Sequence, residues 1–288
     1  MAEDLEAKRI FVEKFAFTEP DRYWHYLHHL FPKNPFLVCA LDIAAWDIYG
    51  KLKKKKLYEI WNGDISKNPL TDYTIGIDSI EKMLAKMKEK PWPIYKIKVG
   101  TADDIAIVKA LGENTNATLR VDANAAWDVE TALRLIPQLK ELGVEFVEQP
   151  LAKDDWEGMK ILFKKSNLPL YADESCVFET DVEKCKDHFH GINIKLTKCS
   201  GITPALRMIK KARELDLKIM VGCMNESTIG SAAIAHLLPF IDHVDMDGPL
   251  LLEEDIATGI SYDFGKISYS DMPGLGIEYK GLFKKEIE

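Results

Sequence analysis

The chain has 288 residues, with 38 Lys and Arg against 46 Asp and Glu, a formal charge of −8; that excess argues against a nucleic-acid partner. Hydrophobic residues make up 47% and charged residues 29%, which allows a full core and excludes a disordered or collagen-like chain. No stretch approaches the ~20 consecutive apolar residues of a membrane helix, and the acidic start Met1-Ala2-Glu3-Asp4-Leu5-Glu6 is unlike a secretory signal, so a cytoplasmic protein with no membrane partner is expected.

Taken in chain order, residues 1–69 carry helical patterns. Asp21 to Phe31 reads as one helix. Asn34 to Lys51 reads as a second, with Leu37, Ala40, Leu41, Ala44, Ala45 and Ile48 on its apolar face and Gly50 at its end, as glycine often closes a helix. Together they suggest a small helical cap subdomain. The basic run Lys51 to Lys56 could bind an anion, but in an acidic chain it is better explained as a solvated turn after a helix. His25, His28 and His29 share faces of the first helix; without an acidic or cysteine partner at a matching offset, they read as surface or packing residues rather than a metal site.

From about residue 70 the pattern changes. Short runs rich in β-branched and aromatic residues recur: 72–76, 94–99, 119–122, 146–148, 170–173, 192–195, 219–222 and 244–247. From the second run onward their ends follow at intervals of 22 to 27 residues, Asp173 to Lys195 being the shortest and Lys195 to Gly222 the longest. A strand, a helix and two loops fit that period. Between them, Glu130 to Leu142 reads as a helix with Leu133, Ile136 and Leu139 on one face, and Pro204 to Leu215 as another with proline in its first turn. Strands alternating with helices imply a parallel sheet, and eight of them close most naturally into an α/β barrel of the triosephosphate isomerase type, here (β/α)7β over residues 70–249. A doubly wound open sheet is the alternative, but no Gly-x-Gly-x-x-Gly follows an early strand. Residues 250–288, with Gly259, Gly265, Gly274 and Gly276, read as hairpin and loop returning toward the N-terminal helices. The five cysteines, at 39, 176, 185, 199 and 223, are widely spaced, without a Cys-x-x-Cys pair, and read as reduced thiols.

The ends of the strands carry the chemistry, because active sites of such barrels lie at the C-terminal ends of their strands. Successive strands end in Lys96 and Lys98, Asp122, Glu148, Asp173 and Lys195, and the eighth in Asp245 and Asp247. Taken singly, each is as well explained by a helix cap or a salt bridge. Lysine, three acids and lysine in strand order is not: three adjacent carboxylates repel one another without a cation, and a set of hard oxygens with no imidazole or thiolate selects Mg2+. Alternation along a strand places Lys96 and Lys98 on one face. Trp127, Met224, Asn225 and Glu226 follow strands and fall at the mouth, where they could line a substrate pocket; Glu226 could also orient a lysine.

The motifs Lys96-Ile97-Lys98, Arg120-Val121-Asp122-Ala123-Asn124, Val147-Glu148-Gln149-Pro150, Ala172-Asp173-Glu174-Ser175 and Asn193-Ile194-Lys195-Leu196 resemble those of the enolase superfamily, in its muconate-lactonizing subgroup. Asp245-Met246-Asp247-Gly248-Pro249 resembles the Asp-x-Asp of its dipeptide epimerases. The resemblance implies Asp122, Glu148 and Asp173 as Mg2+ ligands, Lys98 and Lys195 as an acid/base pair on opposite faces of the substrate α-carbon, and Lys96, Asp245, Asp247, Met224 and Glu226 around the substrate. It implies epimerisation of a dipeptide such as L-Ala-D/L-Glu through an enediolate, and it leaves homo-oligomerisation open. The alternatives are another enzyme of the subgroup (o-succinylbenzoate synthase, N-acyl amino acid racemase or a cycloisomerase) or a metal-binding barrel with little turnover. Family members carry a three-stranded sheet and a mobile loop ahead of the cap helices, and residues 1–20 contain nothing resembling those strands, so the cap is expected to be incomplete and its closure over the mouth impaired.

Overall fold

In the computed structural model, which describes residues 1–281, the β-branched and aromatic runs form eight strands: β1 Tyr73–Ile75, β2 Ile94–Lys98, β3 Thr118–Asp122, β4 Val147–Glu148, β5 Leu170–Ala172, β6 Gly191–Lys195, β7 Lys218–Gly222 and β8 His243–Asp245. Residues 282–288, the end of the expected C-terminal segment, lie outside the described part. The strands pair in parallel in the order β1 to β8. A parallel bridge from Thr71 to Val244, with Asp72 N donating to Val244 O at 3.4 Å, brings the last strand back to the first. Every strand read from the sequence is present, most of them shifted by one residue; the eighth stops at Asp245, so Asp247 stands on the loop beyond it.

Helices follow the strands on the outside. Ahead of β1 come α1 Ala2–Glu13, α2 Pro20–Leu30, α3 Pro35–Lys53 and the single turn α4 Leu57–Ile60. Between strands run α5 Ile80–Glu89, α6 Asp104–Gly112, α7 Val129–Glu141, α8 Trp156–Lys165, α9 Glu179–Cys185, the turn α10 Leu196–Cys199 with α11 Ile202–Glu214, and α12 Thr228–Ala235. That is the (β/α)7β order. Their ends follow ordinary capping: Asn34, Ser79, Asp128 and Asp155 side chains accept backbone N–H groups of α3, α5, α7 and α8, satisfying donors a helix start leaves free. Val, Ile, Leu and Ala from the strands and inner helix faces form one buried cluster that fills the barrel and its wall.

A second, smaller cluster, with Tyr23, Trp24, Leu27, Phe31, Leu37 and Val38, holds α2 to α3. Among the described residues no strand precedes Tyr73. The helical region is tied to the barrel at the β6–α11 turn: Trp24 Nε1 donates to Ser200 O at 3.0 Å, Trp46 Nε1 to Thr203 Oγ1 at 2.9 Å, and Thr203 Oγ1 and N donate to the buried Asp42 carboxylate at 2.6 and 3.0 Å. Gly201 makes this contact possible, since at φ +133° a Cβ would lie 2.3 Å from Asp42 Oδ2.

The expected helix end at Gly50 is corrected: α3 runs through it to Lys53 and turns at Lys54 in the left-handed region. Glycine is required at 50 because a Cβ there would lie 2.6 Å from Gly274 Cα. The C-terminal segment forms the antiparallel hairpin β10 Ile260–Asp263 and β11 Lys266–Tyr269, with β9 Ala257–Thr258 paired to β12 Glu278–Tyr279. It returns to the cap helices, where Gly274 bridges Lys56 and Leu275 N donates to Asp47 Oδ1 at 2.9 Å. No described helix is long and apolar enough to cross a membrane.

Candidate active site

Because the strands are parallel, every C-terminal end opens on one mouth, and the register brings Lys98 beside Asp122 and Asp122 beside Glu148. Lys195 pairs through Gly222 with Asp245 on the other side. In a closed ring of eight, β2 and β6 are four strands apart in either direction, so Lys98 and Lys195 face each other across the mouth. A cavity of about 540 Å³ opens between them, lined by Lys96, Lys98, Asp173, Lys195, Asp245 and Asp247 among others. A larger cavity of about 740 Å³ lies at the opposite end, among Pro91, Trp92, Pro93 and Asn114 to Ala117, where the chain enters β2 and β3; it holds none of the strand-end charges.

Lys96 is a buried charge at the floor of the mouth. Its Nζ lies 3.1 Å from Asp122 Oδ2, 2.9 Å from Glu148 Oε2 and 2.8 Å from Asp245 Oδ2, all buried. Burial opposes its charge, but these three carboxylates outweigh that and hold the ammonium well above the ordinary lysine range. It is therefore a fixed cation that joins β3, β4 and β8. Lys98 Nζ, a quarter exposed, reaches Asp122 Oδ2 at 2.6 Å and Asn124 Oδ1 at 3.0 Å. Lys195 and Lys198 hold the two oxygens of Asp173 at 2.8 and 2.7 Å. Against the pull of burial, these lysines keep Asp122 and Asp173 below the usual carboxylate range, while Asp173 keeps Lys195 above its own.

Glu148 is different. Burial, and then the Asp122 charge, push its carboxyl up. Asn193 Nδ2 donates to Oε1 at 2.6 Å, whereas Oε2 has close Lys96 but, among the described residues, no partner in hydrogen-bond geometry. A buried carboxylate oxygen left without a directed partner, between two further carboxylates on neighbouring strands, is the donor chemistry that a hard cation satisfies. Asp122, Glu148 and Asp173 thus fit Mg2+. They do not bring one oxygen each within 4.8 Å of the other two; among the described residues the trio that does is Cys223, Asp245 and Asp247.

Asp245 and Asp247 line the cavity from the β8 side. Lys96 outweighs the burial that raises Asp245 and keeps it ionised. Burial and the neighbouring Asp245 charge lift Asp247 to about 6, although Thr74 N donates to its Oδ2 at 2.7 Å. Met224 is exposed at the rim beside Asn225 and Leu251. Glu226 does not line the cavity wall: it turns back to accept Met224 N at 3.0 Å and pairs with no described lysine, although, against the burial that raises its carboxyl, Lys195 is near enough to draw it down. Trp127 does not line the cavity either: it is buried, its backbone bridges Leu151 beyond the end of β4, and its Nε1 donates to Asp104 Oδ2 at 2.9 Å. His28 stacks on Trp24, and the expectation that the histidines have no acidic partner at a matching offset is corrected at one of them: His25 Nε2 lies 3.6 Å from Asp21 Oδ2, one helical turn earlier, an exposed surface pair.

Asn193 and Lys198 were not singled out from the sequence. Asn193 stands two residues before Lys195, so strand alternation points both inward, a signal available without the structure. Lys198 lies on α10, and nothing in its local sequence sets it apart from the many other lysines.

Residues 79–282 match the family model described as enolase C-terminal domain-like. The L-Ala-D/L-amino acid epimerase of Flavobacterium johnsoniae is 55% identical over 96% of this chain and 82% of its own length. The L-Ala-D/L-Glu epimerase of Bacteroides thetaiotaomicron is 36% identical over 96% of this chain and 75% of its own. Among solved structures, the dipeptide epimerase of Enterococcus faecalis complexed with Mg and L-Leu-L-Tyr superposes with a TM-score of 0.87 at 34% identity, covering 96% of this chain and 83% of that one. A parallel barrel whose mouth sets two lysines across three carboxylates is thus of the enolase type. The chain belongs to the enolase superfamily and, within it, to the dipeptide epimerases.

Proposed function

We propose that this protein is a Mg2+-dependent epimerase of dipeptides, inverting the α-carbon of the residue that bears the free carboxylate, with L-Ala-D/L-Glu among the candidate substrates. The observation that carries this reading is the placement of Lys98 and Lys195 on opposite strands across the carboxylates. One lysine, neutral at Nζ, takes the α-proton from its face; the other, as ammonium, delivers a proton to the opposite face, so one proton leaves, one arrives and the centre inverts. Asp122, Glu148 and Asp173 would hold Mg2+, which when bound would supply positive charge beside the substrate carboxylate as the α-proton leaves. Lys96 stays charged and holds the acids in position, and Asn193 fixes the rotamer of Glu148. Asp245 and Asp247 offer carboxylate oxygens to the dipeptide ammonium, which favours a free N-terminus over an acylated one. Met224 at the rim would meet the side chains; the position of Glu226 supports a role in shaping the Met224 loop.

Incubation with dipeptides in deuterated water with Mg2+ should give α-deuterium exchange and epimerisation. Asp247→Asn should raise KM for the dipeptide at least roughly tenfold, about 1.4 kcal/mol. N-acetylation of the dipeptide should do comparable damage to the parent and little more to the variant. Faster turnover of an N-acetylated amino acid than of any dipeptide would replace this reading with an N-acyl amino acid racemase.

A further inference from the structure

The β7–β8 side of the mouth carries a feature that ammonium binding does not require. Cys223, on the loop after β7, joins Asp245 and Asp247: each of the three side chains brings a ligand atom within 4.8 Å of the others, and all three are buried. Each carboxylate has one oxygen already committed, Asp245 Oδ2 to Lys96 Nζ at 2.8 Å and Asp247 Oδ2 to Thr74 N at 2.7 Å. The Cys223 thiol donates to Asp247 Oδ1 at 3.8 Å, and Asp245 Oδ1, on a side chain 4% exposed, has no hydrogen-bond partner among the described residues. Outer partners that fix one oxygen and leave the other free are how metal-ligating carboxylates are oriented.

We propose that Cys223, Asp245 and Asp247 form a second cation site, for a thiophilic divalent ion such as Zn2+. The donor set separates it from the first site. Three carboxylates favour a hard ion, whereas a thiolate with two carboxylates favours zinc, with bonds of about 2.3 Å to sulfur and about 2.0 Å to oxygen. Tetrahedral ligands at such lengths stand roughly 3.3–3.6 Å from one another, so a contact of 3.8 Å between Sγ and Oδ1 needs only a small contraction. Three protein ligands leave a fourth position, and the cavity supplies room for it because all three residues line its wall. Binding releases the Cys223 thiol proton to solvent and forms the sulfur–metal bond without any change of oxidation state. On the reading that Asp245 and Asp247 receive the dipeptide ammonium, the ion and the substrate exclude one another, so zinc is a competitive inhibitor.

The test uses Cd2+ and Zn2+ as probes on the full chain with Mg2+ in excess. Cd2+ should produce a thiolate-to-metal charge-transfer band, and Zn2+ should remove it by displacement. Cys223→Ser should weaken Cd2+ binding at least about tenfold, since loss of outer partners alone costs about 10–100-fold. A band that survives in that variant, arising from the core cysteines 39, 176, 185 or 199, overturns the site. A parent without a band overturns it too. In case the variant does not fold, the parent alone answers: Zn2+ should protect Cys223 from alkylation by iodoacetamide, read by mass spectrometry, and equal labelling with and without Zn2+ overturns the proposal. An unreactive N-terminally free dipeptide analogue should compete with Cd2+ and its N-acetyl form should not. If neither competes while the band depends on Cys223, the cation site stands and the ammonium assignment of the acid pair falls.

Discussion

At the scale of single residues, the two lysines of the mouth are set in unequal surroundings. Lys98 is a quarter exposed beside Asp122 and Asn124, while Lys195 is buried against Asp173 and held charged by it. Replacing either with methionine should abolish epimerisation. Each variant should still exchange the α-proton of one substrate enantiomer, because the remaining lysine works its own face. Chiral chromatography of the product, beside proton exchange followed by magnetic resonance, checks this. Full epimerisation in either variant would remove that lysine from the reaction. Both variants should remain folded, because neither side chain belongs to the buried apolar cluster.

At the scale of elements, the join between α3 and α11 rests on a buried acid. Asp42 is fully enclosed, and burial lifts its carboxyl to about 7, although the Thr203 hydroxyl and N–H draw it back down. The unfolded chain releases that proton near pH 4. The stability it contributes is therefore complete below about pH 4, declines as pH rises toward 7, and changes no further above that. Asp42→Asn should lose this dependence: relative to the variant, the parent should weaken by about 2–3 kcal/mol between pH 5 and pH 8. Denaturant titrations at both values measure it, and parallel stabilities would show that Asp42 ionises normally in the fold.

The elements also show what sequence patterns reveal. The barrel was legible because its strands are short, apolar and evenly spaced, and because the chemistry-bearing residues stand at their ends, where parallel geometry brings them together. α1 was not legible: it has no buried residue and no apolar stripe deep enough to signal a helix. α12 is nearly all buried, so it has no polar face to set a period. Gly50 looked like a helix terminator because its true cause, the approach of Gly274, lies 224 positions away in the sequence. Trp127 and Glu226 follow their strands as mouth residues do, yet each turns to a local partner, Asp104 Oδ2 and Met224 N, that strand position alone does not reveal.

At the scale of the whole molecule, a ligand that binds only the folded state raises stability by RT ln(1 + [L]/Kd). Mg2+ at 100 times its Kd should therefore add about 2.7 kcal/mol, seen as a higher melting temperature. Asp173→Asn should lose most of that shift. A shift of equal size in the variant would place the ion elsewhere.

The ring divides its labour unevenly around its circumference. The lysines and the three carboxylates between them come from β2 to β6, whereas Asp245, Asp247, Met224, Asn225 and Leu251 come from β7, β8 and the loops that follow. On the proposed reading the substrate-recognising side occupies one stretch, residues 222–252, joined to the rest of the ring by the pairing of β7 with β6, by Thr74 N on Asp247 and by the salt bridge from Asp245 to Lys96. On that reading, descendants of such a barrel can exchange one substrate for another by rewriting a single continuous passage of the gene, while the half assigned to proton transfer is inherited unaltered.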